Sequence, residues 1–311
     1  MEPAVYLVIL VDADPPGQRF RDRGYFPPDA SAGPPDFKVV SHRLENALDV
    51  IKQSLDGRAV FTVHTSPLYR NNMFREPYLS FWRKVVEAGG ELALHAHEDR
   101  LNGKTYFDDQ RHLESMVTTG SSLAADAGLA LTSFRSGFFA FNDGLTSLLE
   151  RAGLVVDLSC APGVDVPERD AFWPREWKNA GYLCPQRFTD TECSHSMSSV
   201  LEIPLGWDGK GSDLGDHYLF NERSGLDRLK SVWCAMLERS RTEGPLMANF
   251  LCHGSGLIEE KWKVQAVEFF RFVQENEGVI LLPSQAHEVF RSNIRPAIGR
   301  RLAGESSLLS S

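Results

Sequence analysis

Residues 91–99 read ELALHAHED, and the reading of this stretch decides the rest. Apolar residues alternate with others up to Leu94, a period of two that predicts a strand. His95 and His97 follow at i and i+2, so they leave the strand end on one side. Two neighbouring imidazoles with Glu98 and Asp99 behind them suit a divalent ion of the zinc type. Taken alone, the stretch reads equally well as a pair of surface histidines, so its surroundings must decide.

The chain has 311 residues, a length open to two small domains or to one large α/β barrel. Its composition, 42% hydrophobic and 24% charged, is that of a globular chain and argues against disorder. The formal net charge is −9 and no run of Lys or Arg supplies a basic face, which argues against a nucleic-acid partner. Five cysteines at irregular spacing, with no CxxC, predict neither a disulfide framework nor a paired-cysteine metal site, and point to a reducing cytoplasm. The N-terminus enters a strand at once without a basic leader. No apolar run reaches membrane-spanning length, so no membrane association is expected.

In chain order, 4–11 (AVYLVILV) is a buried strand ending in Asp12-Ala13-Asp14, and 15–37 is a long loop. Ser41 reads as the N-cap of a helix running to Leu55, and 59–65 as a second strand. A helix over 76–88 leads into the opening stretch. Further helices are predicted over 107–127, 143–152 (capped by Asn142), 222–241, 259–276 and 284–291. Further strands are predicted over 129–137, 154–159, 199–205, 245–254 and 278–283, with 160–199 irregular. Strands and helices thus alternate about eight times, the mark of a parallel α/β protein, open or closed into a barrel. A dinucleotide-binding fold is disfavoured because Asp12-Ala13-Asp14 stands where a glycine-rich turn belongs. One domain over 1–295 and a flexible tail over 296–311 are expected.

The unusual polar residues recur at the C-terminal ends of these strands, where α/β barrels carry their active sites. They are Asp12 and Asp14, His95 and His97, Arg135, Asp157 and His253. Each has a turn, cap or surface explanation on its own, but their coincidence at one end favours a site. Asp plus two His can hold a divalent ion whose bound water becomes a nucleophile near neutral pH. Asp12 is placed to take the proton of that water and Arg135 to orient Asp12. His253, from the opposite rim, is placed to protonate the leaving group.

These residues resemble the motifs of the polysaccharide deacetylase family (carbohydrate esterase family 4, the nodulation-type deacetylase fold), over most of residues 4–290. Asp12 and Asp14 match the acidic pair that closes the first strand, and 91–97 matches its EIGLHxH strand. FRSGFFAFNDGLTSLLERAGLVVDLS (134–159) matches the arginine–aromatic turn and the helix–strand unit after it. Leu251-Cys252-His253 matches the last motif, and Glu202-Ile203-Pro204 a late strand. The resemblance implies a distorted parallel (β/α) barrel of seven to eight strands. It makes Asp12 the base, Arg135 its orienting residue, His253 the acid, and Asp14 and His95 ligands of one divalent metal ion, zinc first. Many members place their two metal histidines at i and i+4; here that position is Asp99, while His97 sits at i+2 as in a subgroup with HLH-like strands. His97 is favoured as third ligand, with Asp99 as the substitute.

The implied reaction removes an N-acyl group, acetyl first, from an amino sugar or small sugar conjugate. Phe138, Phe139, Asp157 and Trp173 are the residues expected to touch the substrate, and Tyr25, Phe26 and Trp177 are further aromatics with the faces to stack on sugars. Two other readings stand beside this one. The first is hydrolysis of another C–N bond, a formamide or non-sugar amide, on the same scaffold. The second is an inactive carbohydrate-binding barrel, which predicts loss of base, ligand or acid, all of which are present.

Overall fold

The computed structural model describes residues 5–13, 37–65, 70–97, 106–184 and 198–294. Asp14, Tyr25, Phe26, Asp99, the tail over 296–311 and all of the loop read over 15–37 but its last residue lie outside them; Phe37 belongs to a helix. The first half of the chain runs β1 (Val5–Asp12), α1 (Phe37–Leu55), β2 (Val60–His64), α2 (Arg70–Met73), α3 (Tyr78–Glu87), β3 (Glu91–Ala96), α4 (Gln110–Asp126), β4 (Leu131–Ser136) and α5 (Asp143–Arg151). The short strands β5 (Val156–Asp157), β6 (Asp165–Val166), β7 (Ala171–Phe172), β8 (Gly181–Tyr182) and β9 (Leu201–Glu202) follow. The chain then forms α6 (Leu226–Glu243), β10 (Leu246–His253), α7 (Glu260–Glu275), β11 (Gly278–Leu281) and α8 (Pro283–Val289).

The main sheet has the order β10-β1-β2-β3-β4-β5-β9-β8, parallel except for the antiparallel β8–β9 pair. β1 is paired along its whole length with β10, from Val5 opposite Leu246 to Asp12 opposite His253. Its other edge is divided: β11 pairs with residues 5–8 and β2 with Leu10 and Val11. The sheet curls until its ends meet through the segment after β9. There Leu205 donates to Cys160 on one side, and Gly206 and Pro204 exchange backbone bonds with Asn249 of β10 on the other. The fold is therefore the distorted (β/α) barrel that the sequence motifs imply.

Alternation along β1 explains the layering. Tyr6, Val8 and Leu10 pack into one core with Phe134, Leu201 and Leu251, while Val5, Leu7, Ile9 and Val11 pack into another with α1, α3, α6 and α7. Asp12 has the parity of the first, inner set, and so does His253 after Met247 and Leu251 on β10. The period that buries the strand thus also turns both polar ends to the same side.

Several boundaries differ from the sequence reading. α1 begins at Phe37, so Ser41 lies inside the helix and does not cap it. The Asn142 cap is present, its side chain accepting from Leu145 N at 3.2 Å. The region read as irregular over 160–199 contains the β6–β7 hairpin and β8. These strands have two residues each, too few for alternation to be visible. Cys184 is disulfide-bonded, while Cys160, Cys234 and Cys252 are free. Sequence spacing alone does not decide a disulfide, which depends on how close the two Cα atoms lie in space and how their Cβ atoms are directed. No helix among the described residues is long and apolar enough to cross a membrane.

Closure rests on a buried side chain as well as on backbone. Asn249 Nδ2 donates to Ile203 O at 2.6 Å, inside the barrel wall. Asn249→Ala strands that carbonyl and is expected to cost about 1–3 kcal/mol of stability in denaturant unfolding. An unchanged midpoint would show that the wall closes without this bond.

Candidate active site

Asp12, His95, His97, Arg135, Phe138, Phe139 and His253 line one cavity of about 260 Å³ at the C-terminal ends of the strands. The strand registers bring them there: Asp12 opposite His253, and His95 opposite both His64 and Arg135. His253 therefore stands beside Asp12 on the adjacent strand and not on the opposite rim. The reason is topological. β10, late in the sequence, pairs directly with β1.

Asp12 and Arg135 are both buried, with Asp12 Oδ2 3.6 Å from Arg135 Nε. Asp12 Oδ1 has no hydrogen-bond partner among the described residues, an oxygen left to accept a proton inside the cavity. The Arg135 guanidinium also lies over the Phe139 ring, 4.4 Å from its centroid. His253 is held by Glu222 twice: its backbone N donates to Oε1 at 2.9 Å, and its Nδ1 lies 3.3 Å from Oε2. Phe220 stacks on the imidazole at 5.7 Å. A carboxylate at Nδ1 fixes the orientation of the imidazole ring.

His95 Nδ1 contacts the carbonyl of Arg135 at 2.9 Å. A carbonyl only accepts, so Nδ1 carries the proton and Nε2 keeps its lone pair, the tautomer a metal ligand needs. His64, fully buried at the end of β2, completes a cluster with His95 and His97, the three ring centroids lying 5.2–5.4 Å apart. The donor chemistry fits a borderline ion such as zinc. Among the described residues, however, no three His, Cys, Asp or Glu side chains converge on a common ion position. The carboxylates assigned to the shell, Asp14 and Asp99, lie outside those residues.

The turn after β4 forms the aromatic wall. Phe138 and Phe139 have φ of 55° and 62°, a left-handed pair that side chains rarely adopt. Trp173 holds it from behind, its indole N–H donating to Phe139 O at 2.8 Å. Gly137 is required by close approach, since a Cβ there would lie 2.9 Å from the His97 ring. Phe138 meets the same ring edge-on at 4.6 Å.

Two residues expected to touch the substrate do not face the cavity. Trp173 is 1% exposed and packs behind the turn, and Asp157 is 0% exposed, opposite Phe134 of β4; neither lines the cavity. Their bulk and charge serve the wall from inside the protein. Conversely, His64, Glu222, Arg169 and Arg223 were not singled out by the sequence. His64 ends a strand like the other site residues, which is a readable signal. Glu222 and Arg223 sit in a turn and Arg169 at the end of a three-residue 3-10 helix, all too short for a period to mark them.

No family model and no curated protein matches the sequence. Solved structures do match. A protein described as a polysaccharide deacetylase from Mycobacterium smegmatis superposes with a TM-score of 0.61 at 15% identity, over 94% of this chain and 92% of that one. One so described from Pseudomonas aeruginosa PAO1 gives 0.59 at 12%, over 94% and 92%. The allantoinase Puue gives 0.56 at 10%, over 94% and 91%. At such identities the likeness is one of fold, and this chain has the fold of the polysaccharide deacetylases.

Proposed function

We propose that the protein is a metal-dependent hydrolase that removes an N-acyl group, acetyl first, from an amino sugar or small sugar conjugate. The observation that supports this reading is the convergence of Asp12, Arg135, His95 and His253 on one small cavity at the strand ends. Solved structures of the same fold described as polysaccharide deacetylases point the same way. His95 with His97 and Asp14 would hold one divalent ion, zinc first, and Asp99 is the substitute third ligand. When bound, the ion would supply a nucleophilic water and polarise the acyl carbonyl.

The chain's own residues account for the proton traffic. Asp12 accepts a proton from water, with Arg135 at 3.6 Å fixing the carboxylate. His253 donates a proton to the departing nitrogen, with Glu222 fixing the ring. Their adjacency across one register pair lets base and acid serve the two sides of one amide. The left-handed Phe138–Phe139 turn shields the cavity with apolar surface, which strengthens each polar contact inside it.

A second reading, hydrolysis of a small non-sugar amide, is favoured by what else lines the cavity. Its walls include Val164, Leu214, Phe220 and Leu251, with Arg169 and Arg223 at its edge. Arg169 lies over the Phe138 ring at 4.0 Å, and Arg223 makes no ion pair among the described residues. Against a net charge of −9, two arginines here suit a compact substrate carrying a carboxylate or phosphate. The match to an allantoinase structure is in keeping with C–N chemistry beyond sugars.

Release of carboxylic acid from small N-acetyl sugars and N-acyl amino acids, measured alongside metal content, tests both readings. Asp12→Asn is expected to lower turnover by roughly 10²–10⁴-fold while metal content stays unchanged. Turnover that survives the change removes Asp12 as the base. His95→Ala is expected to lose the metal, and full retention would exclude it as a ligand. Arg223→Gln is expected to raise KM for anionic amides and leave neutral sugars untouched. Equal effects on both substrate types would remove the anionic reading.

A further inference from the structure

Within reach of the Arg135 charge lies a pair of carboxyl groups that the chemistry above does not use. Asp157 ends β5 and Glu202 ends β9, directly opposite each other in the parallel register, and both are fully buried. One oxygen of each is supplied with a donor. Asp157 Oδ1 accepts from Ser159 Oγ at 2.5 Å, and that hydroxyl in turn accepts from Ser136 N at 2.9 Å. Glu202 Oε1 accepts from Cys160 N at 3.0 Å. The remaining oxygens, Asp157 Oδ2 and Glu202 Oε2, are buried with no donor among the described residues.

The charges facing this pair are few. Arg135 on β4 is the cation that acts on both carboxyls, and it also stands against Asp12 on β1. The Cys160 thiol after β5 is the other titratable group beside them, and burial pushes its pKa well up. Burial likewise raises the pKa of Asp157, and raises that of Glu202 well above the carboxylate range, the charge of Asp157 adding to the latter shift. Two buried carboxylates in contact cannot both stay ionised beside one shared cation. The two groups are close enough to hydrogen-bond, and that bond requires a proton on one of them.

We propose that Asp157 and Glu202 share one proton between Oδ2 and Oε2, and that the singly charged pair is the buried anchor that positions Arg135 beside Asp12. Asp157 and Glu202 are then positioning residues that act through Arg135. With the proton in place, every buried oxygen of the pair is satisfied and one negative charge faces the guanidinium. With both groups ionised, two negative charges would compete with Asp12 for Arg135. The consequence for Asp12 rests on the hydrolase reading. The shared proton does not.

The test is infrared difference spectroscopy of the whole protein in light and heavy water. The wild type at neutral pH is expected to show the C=O stretch of a buried protonated carboxyl, shifted by deuterium. Glu202→Gln and Asp157→Asn are each expected to abolish it, since either amide can donate to the carboxylate that remains. The double amide variant removes the negative charge of the pair and is expected to unfold at a lower temperature than either single variant. Stability gives a second readout. A carboxyl whose pKa is raised in the folded state contributes stability that is full below the ordinary carboxylate range and is lost as pH rises towards the raised value. Glu202→Gln should therefore flatten the loss of stability on the alkaline side of that range.

Absence of the band in the wild type, or its persistence in either single variant, overturns the proposal. If an amide variant does not fold, Ser159→Ala replaces it: removal of the donor to Asp157 Oδ1 must shift the band, and an unmoved band overturns the assignment. None of these readouts uses turnover, so failure here is distinguishable from failure of the hydrolase reading.

Discussion

One guanidinium stands among three buried carboxyls, and the site depends on how its charge is divided. Arg135 reaches Asp12 at 3.6 Å, and its charge also acts on Asp157 and Glu202. In a low-dielectric interior an unpaired charge costs several kcal/mol, so the cluster must be close to neutral balance. Arg135 thereby joins the catalytic side of the barrel to its interior. Its main chain does further work, since its carbonyl fixes the tautomer of His95. A single residue thus orients the candidate base through its side chain and a candidate ligand through its backbone.

The barrel supplies that residue with its neighbours. Parallel strands end at one rim, and register decides which side chains are adjacent there. Asp12 opposite His253, His64 opposite His95, and His95 opposite Arg135 are register pairs of β1–β10, β2–β3 and β3–β4. Closure through Leu205, Gly206 and Asn249 completes the ring and brings the β9 end, with Glu202, against β5. The local strain of Phe138 and Phe139 is held by a buried tryptophan and by the absence of a side chain at Gly137. Strain of this kind persists only where the surroundings over-determine it, and it is common at ligand-binding walls.

Much of this was legible in the sequence, for identifiable reasons. The long strands β1, β3 and β10 carry enough residues for their apolar pattern to show, and their polar ends stood out as Asp12, His95 and His253. The Asn142 cap is a local signal with a local cause. What was not legible depends on pairing between distant segments. The adjacency of Asp12 and His253 follows from strand order, which periodicity does not carry. Glu222 acts through a loop, and its carboxylate is admitted because Gly256 has no Cβ to meet it. Asp157 was visible as a polar strand end, but whether it faces the cavity or the interior depends on curvature. The two-residue strands β6, β7 and β8 are too short for any period, and their existence depends on the neighbours that they pair with.

The central claim is hydrolysis of an amide by a metal-held water with Asp12 as base. The most direct measurement follows carboxylic acid release from small N-acyl substrates by the purified protein before chelation, after chelation and after reloading with zinc. The account predicts release that disappears on chelation and returns with the ion. Release that chelation leaves untouched, or no release from any small amide by the metal-loaded protein, would contradict it.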